Sequence, residues 1–227
     1  MEPAMVILPV LIENKGIQIR STDQLDELGF RDAAKWMREA EDLWNQHRGS
    51  KSNRMSLYES VNYQGKLTNQ DISAPYLVLY NASGTDVSAA LFARKSCVEP
   101  FFVDHKLYYY ATRNRAEASY LVALLNSRTV NLLIKPFQSV GLQGERDIHK
   151  KVLELPIPLF DDRKPEHVAL ARLGEEARKR AAKVVEEAKG RGWPGGLARR
   201  RAIVRQGLKD VLDQIDLAVK RLFGVAD

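Results

Sequence analysis

The sequence predicts an α+β fold: a small mixed or antiparallel sheet with helices packed on it, followed by a C-terminal antiparallel helical hairpin. Three observations carry this. Residues 57–110 are rich in tyrosine, valine and phenylalanine and are punctuated by turn signals at Asn62, Gly65, Ser83-Gly84 and Glu99-Pro100, which is the pattern of several short strands. Apolar residues recur at helical spacing on both sides of that stretch. Beyond Phe160 the chain becomes highly charged, and GRGWPGG (Gly190 to Gly196) splits it into two helical arms. The expected division is a domain of residues 1–162 and a helical hairpin of residues 163–227.

Taken in order, the apolar run Met5 to Ile12 reads as a first strand. Thr22 or Asp23 then caps a helix carrying Leu25, Leu28, Phe30, Ala34, Trp36, Met37 and Leu43, which ends before Gly49. The polar run Arg48 to Arg54 is a loop. Tyr76 to Tyr80 and Val87 to Phe92 flank Asn81 to Asp86 as the arms of a β-hairpin. Phe101 to Tyr110 reads as a longer, central strand, on which alternation points Tyr108 and Tyr110 one way and Tyr109 the other. Asn114 followed by Glu117 has capping-box spacing, and Leu121, Val122, Leu124 and Leu125 give the next helix its apolar face. Asn126-Ser127 breaks that helix, and a second one, Thr129 to Ile134, stops before Pro136. Pro165 suits the first position of the next helix, which runs to about Lys189. The final helix places Val204, Leu208, Val211, Ile215, Ala218 and Leu222 on a coiled-coil-like seam.

Bulk composition excludes several classes. A chain of 227 residues with 44% hydrophobic and 28% charged residues is an ordinary soluble globular protein. Cys97 is the only cysteine, so no internal disulfide forms and a reducing cytoplasm is the expected compartment. The four histidines show no metal spacing with Cys97 and no HExxH pair. No apolar run approaches the roughly 20 residues a membrane span needs, and Met5 to Ile12, interrupted by Pro9 and lacking a basic leader, is no signal peptide. The formal charge of +6 is unevenly placed. Residues 163–227 hold 16 Lys and Arg against 9 Asp and Glu, whereas residues 1–162 hold 19 against 20. A basic C-terminal face suits a phosphate backbone; a solvated helix surface of alternating Arg and Glu is the competing explanation.

Polar groups look placed rather than scattered in one stretch, Tyr120 to Phe160. There Gly141 and Gly144 allow backbone approaches that a side chain forbids. Around them Gln138, Ser139, Gln143, Arg146, His149, Lys150 and Lys151 supply amide, hydroxyl and cationic groups suited to phosphates and base edges. A second candidate is NASGT, Asn81 to Thr85, where Asn81, Ser83 and Thr85 offer small polar groups between two strands; a plain hairpin turn is the simpler explanation of the same residues. Arg94-Lys95 and Arg113 to Arg115 lie near strand ends, within reach of a backbone.

Five pieces in order, VILPV (Val6 to Val10), LYESVNYQGKLTNQ (Leu57 to Gln70), YLVLYNASGT (Tyr76 to Thr85), FFVDHKLYYY (Phe101 to Tyr110) and YLVALLNSRTVNLLIKPFQSVGLQGERDIHKKVLELPIPLF (Tyr120 to Phe160, with Pro156 and Pro158), carry a resemblance over most of the chain up to the C-terminal helices. Together they resemble the C-terminal TaqI-like target recognition domain of adenine-N6 DNA methylases of restriction–modification systems. The resemblance implies a specificity module that binds double-stranded DNA and positions it for a methylase domain, with or without a nuclease, in the same or another chain. Such methylases bind S-adenosylmethionine through a glycine motif after a strand and hold the extruded adenine with an Asn-Pro-Pro-Tyr-type motif. No glycine motif of that kind follows a predicted strand here, and the chain has no Pro-Pro dipeptide. This stretch is therefore expected to carry no cofactor and no catalysis of its own, and its start just before Val6 reads as a piece of something longer.

Two other classes remain open. Asp104-His105-Lys106 fits the D/E-x-K element of metal-dependent nucleases on a predicted strand, although the usual upstream Pro-Asp is missing. Alternatively, the terminal helices are the working part, and the heptad seam makes a helix-mediated dimer or docks a partner.

Overall fold

The computed structural model describes residues 6–13, 16–49, 54–104, 106–141, 144–145, 148, 150–193 and 195–225. The fold is α+β, with its strands in small antiparallel sheets and its C-terminal third helical. The chain divides into two compact units, one of Met1–Asp71 with Phe102–Asp104, the other of Ile72–Phe101 with His105–Asp227. Among the described residues, no helix is long and apolar enough to cross a membrane.

In the first unit β1 (Val10–Glu13) pairs antiparallel with β2 (Gly16–Ile19), Val10 opposite Ile19. Where one helix is expected from Thr22, two form: α1 (Thr22–Glu27) and α2 (Arg31–His47). Gly29, at φ +86°, turns the chain between them. Ser21, one residue earlier than predicted, is the cap and forms a reciprocal capping box with Gln24. Thr22 is thereby released for a tertiary role: its buried hydroxyl donates to Glu41 Oε2 and accepts from the Tyr58 hydroxyl, both at 2.6 Å. Leu25, Ala34 and Met37 form the core of this unit, with Leu57 and Tyr58 packed against it.

Residues 57–61 are not the strand that their Leu, Tyr and Val predict but helix α3 (Leu57–Val61). The Ser56–Glu59 capping box outweighs β-propensity there, and Tyr58 is placed to close the small core. Gln70 then does the work of a strand partner. Its buried amide donates to the Val103 carbonyl and accepts from the Val103 N–H, both at 2.8 Å.

The second unit is built on a three-stranded sheet of order β4-β3-β5, with β3 (Tyr76–Asn81), β4 (Ala89–Ala93) and β5 (Leu107–Thr112). The predicted hairpin forms, Tyr76 opposite Ala93. The predicted central strand does not occupy the centre. It begins only at Leu107 and lies at an edge, and β3 is central instead. Burial explains the exchange: Leu77, Val78, Leu79 and Tyr80 are all buried, the continuous apolar run of a strand covered on both faces. Tyr108 packs as expected, stacked on Tyr80 with ring centroids 5.5 Å apart, and burial pushes the Tyr80 hydroxyl up to about 12.

Helix α4 (Arg115–Asn126) starts at the predicted cap, the Asn114 side chain accepting from the Ala116 and Glu117 N–H groups. The Glu117 carboxylate does not complete the box. It takes hydrogen bonds from Tyr110 and Thr112 of β5 instead. Helix α5 (Arg128–Ile134) follows Ser127, the residue that ends one helix and caps the next. After the short hairpin of β6 (Val140–Gly141) and β7 (Gly144–Glu145) the chain reaches α6 (Pro165–Gly190), α7 (Leu197–Gly207) and α8 (Lys209–Phe223).

The last expected helix is thus two, broken at Leu208. Gly207 lies against Val184, and Arg180 pairs with Asp210 at 2.5 Å, so α6 and α8 run antiparallel. Leu208, Val211 and Ile215 of the seam are buried, joined by Val219 rather than Ala218, while Leu197 is exposed. These residues share one core with Val78 and Tyr80 of the sheet and with α4, α5 and α6. Both hairpin arms therefore belong to the second unit, whereas the sequence reading separates them at residue 162. Asp216 ties α8 down, accepting from the N–H and hydroxyl of Thr129 in the first turn of α5, each at 2.7 Å. At the other end Glu175 of α6 is bound by Arg178 and by Arg115 of α4, which hold its carboxyl down to about 2.

The tightest helix contact is at Gly174. A Cβ there would fall inside the van der Waals shell of the Ser119 carbonyl oxygen and lie 3.2 Å from the Ala123 Cβ. Gly190, in the same helix, faces open space. Urea unfolding should show Gly174→Ala destabilised by about 1–3 kcal/mol through overpacking, and Gly190→Ala unchanged or slightly stabilised.

Candidate nucleic-acid interface

The two polar stretches singled out in the sequence lie side by side in the fold. The first connects β3 to β4 and is more than a plain turn. The Asn81 amide donates to the carbonyls of Ser83 (2.8 Å) and Asp86 (3.1 Å) and accepts from the Ser88 N–H (2.7 Å). Gly84 sits at φ +140°, where a Cβ would come within 2.9 Å of the Asn81 amide nitrogen. Asn81 is therefore spent inside the loop, and the exposed positions are Ser83 and Thr85.

The second stretch, Gln138 to Lys151, is fastened to the first at two places, and Lys135, just ahead of it, adds a third. Gln138 Nε2 donates to the Gly84 carbonyl at 3.1 Å. Lys135 Nζ donates to the Thr85 carbonyl and pairs with Asp86 at 3.3 Å. The Ile148 N–H donates to the Ala82 carbonyl at 3.2 Å, and its side chain is fully buried. Residues fifty or more positions apart thus form one loop pair.

This geometry sorts the candidates. Gln138 is only 6% exposed and its amide holds Gly84, so it shapes the pair rather than projecting from it. Ser139 and Lys150 are exposed, and Gly141 and Gly144 lie in the β6–β7 hairpin. Lys151 opens a short 3₁₀ turn with Glu154 at its end. Gln143, Arg146 and His149 lie outside the described residues, as do residues 50–53 of the Arg48 to Arg54 loop. The exposed Ser83, Thr85, Ser139 and Lys150, each within two residues of a bond that joins the loops, carry hydroxyl groups and an ammonium group, the donors that meet phosphate and sugar oxygens. Arg94 is used otherwise, donating to the carbonyls of Ala74 and Phe101. Arg113 donates to Ser73, and Arg115 pairs with Glu175.

Sequence reasoning missed the residues that brace the pair. Asn126 closes the free edge of β4, its amide donating to the Ala89 carbonyl and accepting from the Ala89 N–H at 2.9 and 3.0 Å. Asn131 accepts from the Val87 N–H at 2.6 Å. Asn126 reads from sequence as part of a helix break with Ser127, and Asn131 as an ordinary position inside the helix Thr129 to Ile134. Lys135 and Asp86 carried no signal beyond their charge.

The chain matches no family model, no curated protein and no solved structure.

Removing the Asn131 amide takes away the partner of the Val87 N–H, and removing that of Asn126 takes away the partners of the Ala89 N–H and carbonyl. Asn131→Ala should cost about 1–3 kcal/mol and speed hydrogen exchange at Val87, with helix content unchanged by circular dichroism. Retention of full protection at Val87 would show that the asparagine does not hold this loop.

Proposed function

We propose that this chain is the target-recognition module of an adenine-N6 DNA methyltransferase of a restriction–modification system. It binds duplex DNA in the cytoplasm and positions it for a catalytic domain that carries S-adenosylmethionine and the adenine pocket. The module itself performs no chemistry. One observation supports this reading above the others: the two segments whose residue types suit DNA, remote in sequence, are bound to each other through Gln138 and Ile148, with Lys135 just ahead of the second segment bonded to the first. A surface made of two braced loops is what reading a groove demands, because positioning contacts and base contacts must keep a fixed register. The resemblance of Tyr76 to Thr85 and Tyr120 to Phe160 to the TaqI-like domains supplies the family, and it falls on these same loops.

The competing classes have less beneath them. The D-x-K reading needs Asp104 and Lys106 on a strand, and β5 begins only at Leu107. Among the described residues no group of three His, Cys, Asp or Glu side chains is placed to hold a metal ion. A helix-mediated dimer needs the α8 seam, and Val211 and Ile215 are already buried within one chain.

Fluorescence anisotropy with a labelled duplex of mixed sequence tests the proposal. Arg146→Ala/Lys150→Ala should weaken binding about tenfold or more at 50 mM salt, and by more than Arg199→Ala/Arg200→Ala. Equal or reversed losses would take the binding surface away from the loops.

A further inference from the structure

From Lys189 to Lys209 the chain carries seven Lys and Arg and no acidic residue. No other part of the sequence concentrates charge in this way, and the loop pair does not account for it. The helix at its centre, α7, has two faces. Ile203 and Val204 are half-buried, and Gly207 lies on Val184 of α6. Arg201 and Arg205 are exposed and stand one turn apart on the opposite side, about 6 Å along the axis at the helical rise, and the exposed Lys209 follows past the break at Leu208 as the first residue of α8. Arg199 and Arg200 are differently placed. Arg200 is drawn back over the Trp193 ring and onto the Gly195 carbonyl, and Arg199 packs at Gly195.

Arg201 has no ion-pair partner among the described residues. Lys209 pairs with Asp213 one turn on, at 2.8 Å. Arg205, its side chain 66% exposed, reaches Asp86 at 3.7 Å, and the same carboxylate takes Lys135 at 3.3 Å. Asp86 belongs to the β3–β4 loop, which places the ridge beside the loop pair. Exposed ion pairs of this kind contribute about 0–1 kcal/mol, so a phosphate can replace the carboxylate as the partner of Arg205.

We infer that the outer ridge of α7, Arg201 and Arg205, continued by Lys209 at the start of α8, is a second DNA contact, one that tracks the phosphate backbone of the duplex whose bases face the loop pair. The inference rests on the reading of the loop pair as a DNA surface. The ridge contributes affinity without sequence preference, since guanidinium and ammonium groups on phosphates carry no base information. Duplex DNA is the fitting occupant on two grounds. The ridge adjoins the loops through Asp86, and it has no apolar row beside it to enter a lipid surface, because Ile203 and Val204 face inward.

The test uses the full 227-residue chain and fluorescent 30-base-pair duplexes of several sequences, titrated between 50 and 200 mM salt. Arg201→Gln/Arg205→Gln should weaken all duplexes alike, roughly 10- to 100-fold at the lowest salt, and reduce the slope of log K against log salt by about 2. Arg201→Lys/Arg205→Lys should retain both affinity and slope, which separates loss of charge from loss of fold. An unchanged slope in the Gln variant, with the Arg146/Lys150 variant still impaired, would overturn the ridge and leave the loop reading standing. Loss in the Gln variant with the Arg146/Lys150 variant unaffected would leave the ridge and overturn the loops. Wild-type protein that prefers phosphatidylserine vesicles or structured RNA to duplex DNA, by way of Arg201 and Arg205, would assign the ridge to another partner. Absence of any duplex binding would sink both readings.

Discussion

At Gly174 the α6 backbone passes so close to the Ser119 carbonyl that no side chain fits between them, and the architecture of the second unit follows from that approach. Helix α4 is buried along most of its length, from Ala118 to Leu125, with the sheet on one side and α6 and α8 on others. An element covered on so many sides has little freedom to shift, since packed interiors resist displacement. What hangs from α4 is therefore fixed as well. The Tyr120 hydroxyl donates to the Pro158 carbonyl, and Asn126 closes the β4 edge. Asp216 then fastens α8 to the start of α5.

The candidate surface inherits its order from this frame. Loops lack a core of their own and keep their shape only where backbone groups are satisfied. The β3–β4 loop meets that need through Asn81 from within and Asn131 and Lys135 from the helices behind it. The 138–151 stretch leans on the loop so ordered, through Gln138 and Ile148. Three carbonyls of that loop, those of Ala82, Gly84 and Thr85, are the receiving points. Side chains that look from sequence like readers of DNA, Asn81 and Gln138, turn out to be joints, with the exposed Ser83, Thr85, Ser139 and Lys150 close to them in the chain.

Local chemistry was legible in the sequence and long-range chemistry was not. The hairpin of residues 76–93 announced itself as two apolar runs flanking a Gly-bearing loop, and the Asn114 cap and Pro165 marked two helix starts correctly, because each depends on neighbours within a few residues. The role of β3 as centre depends on cover from both faces, which a run of Leu, Val and Tyr hints at but does not fix. Residues 57–61 carry strand-like residues that a capping box overrides. The break at Gly29 required knowing that Phe30 must turn into a new helix. For the site, residue types were readable and their meeting was not. Bonds from Gln138 to Gly84 and from Asn131 to Val87 span 54 and 44 residues, beyond the reach of periodicity.

The central claim is that the two loops act as one DNA-facing surface. Backbone amide NMR during titration of the whole chain with duplex DNA addresses it most directly. The account predicts that resonances of residues 83–85 and of 138–151 shift together, at the same protein-to-DNA ratio, with little change in residues 22–47. Shifts confined to one loop, or to the first unit, would contradict it.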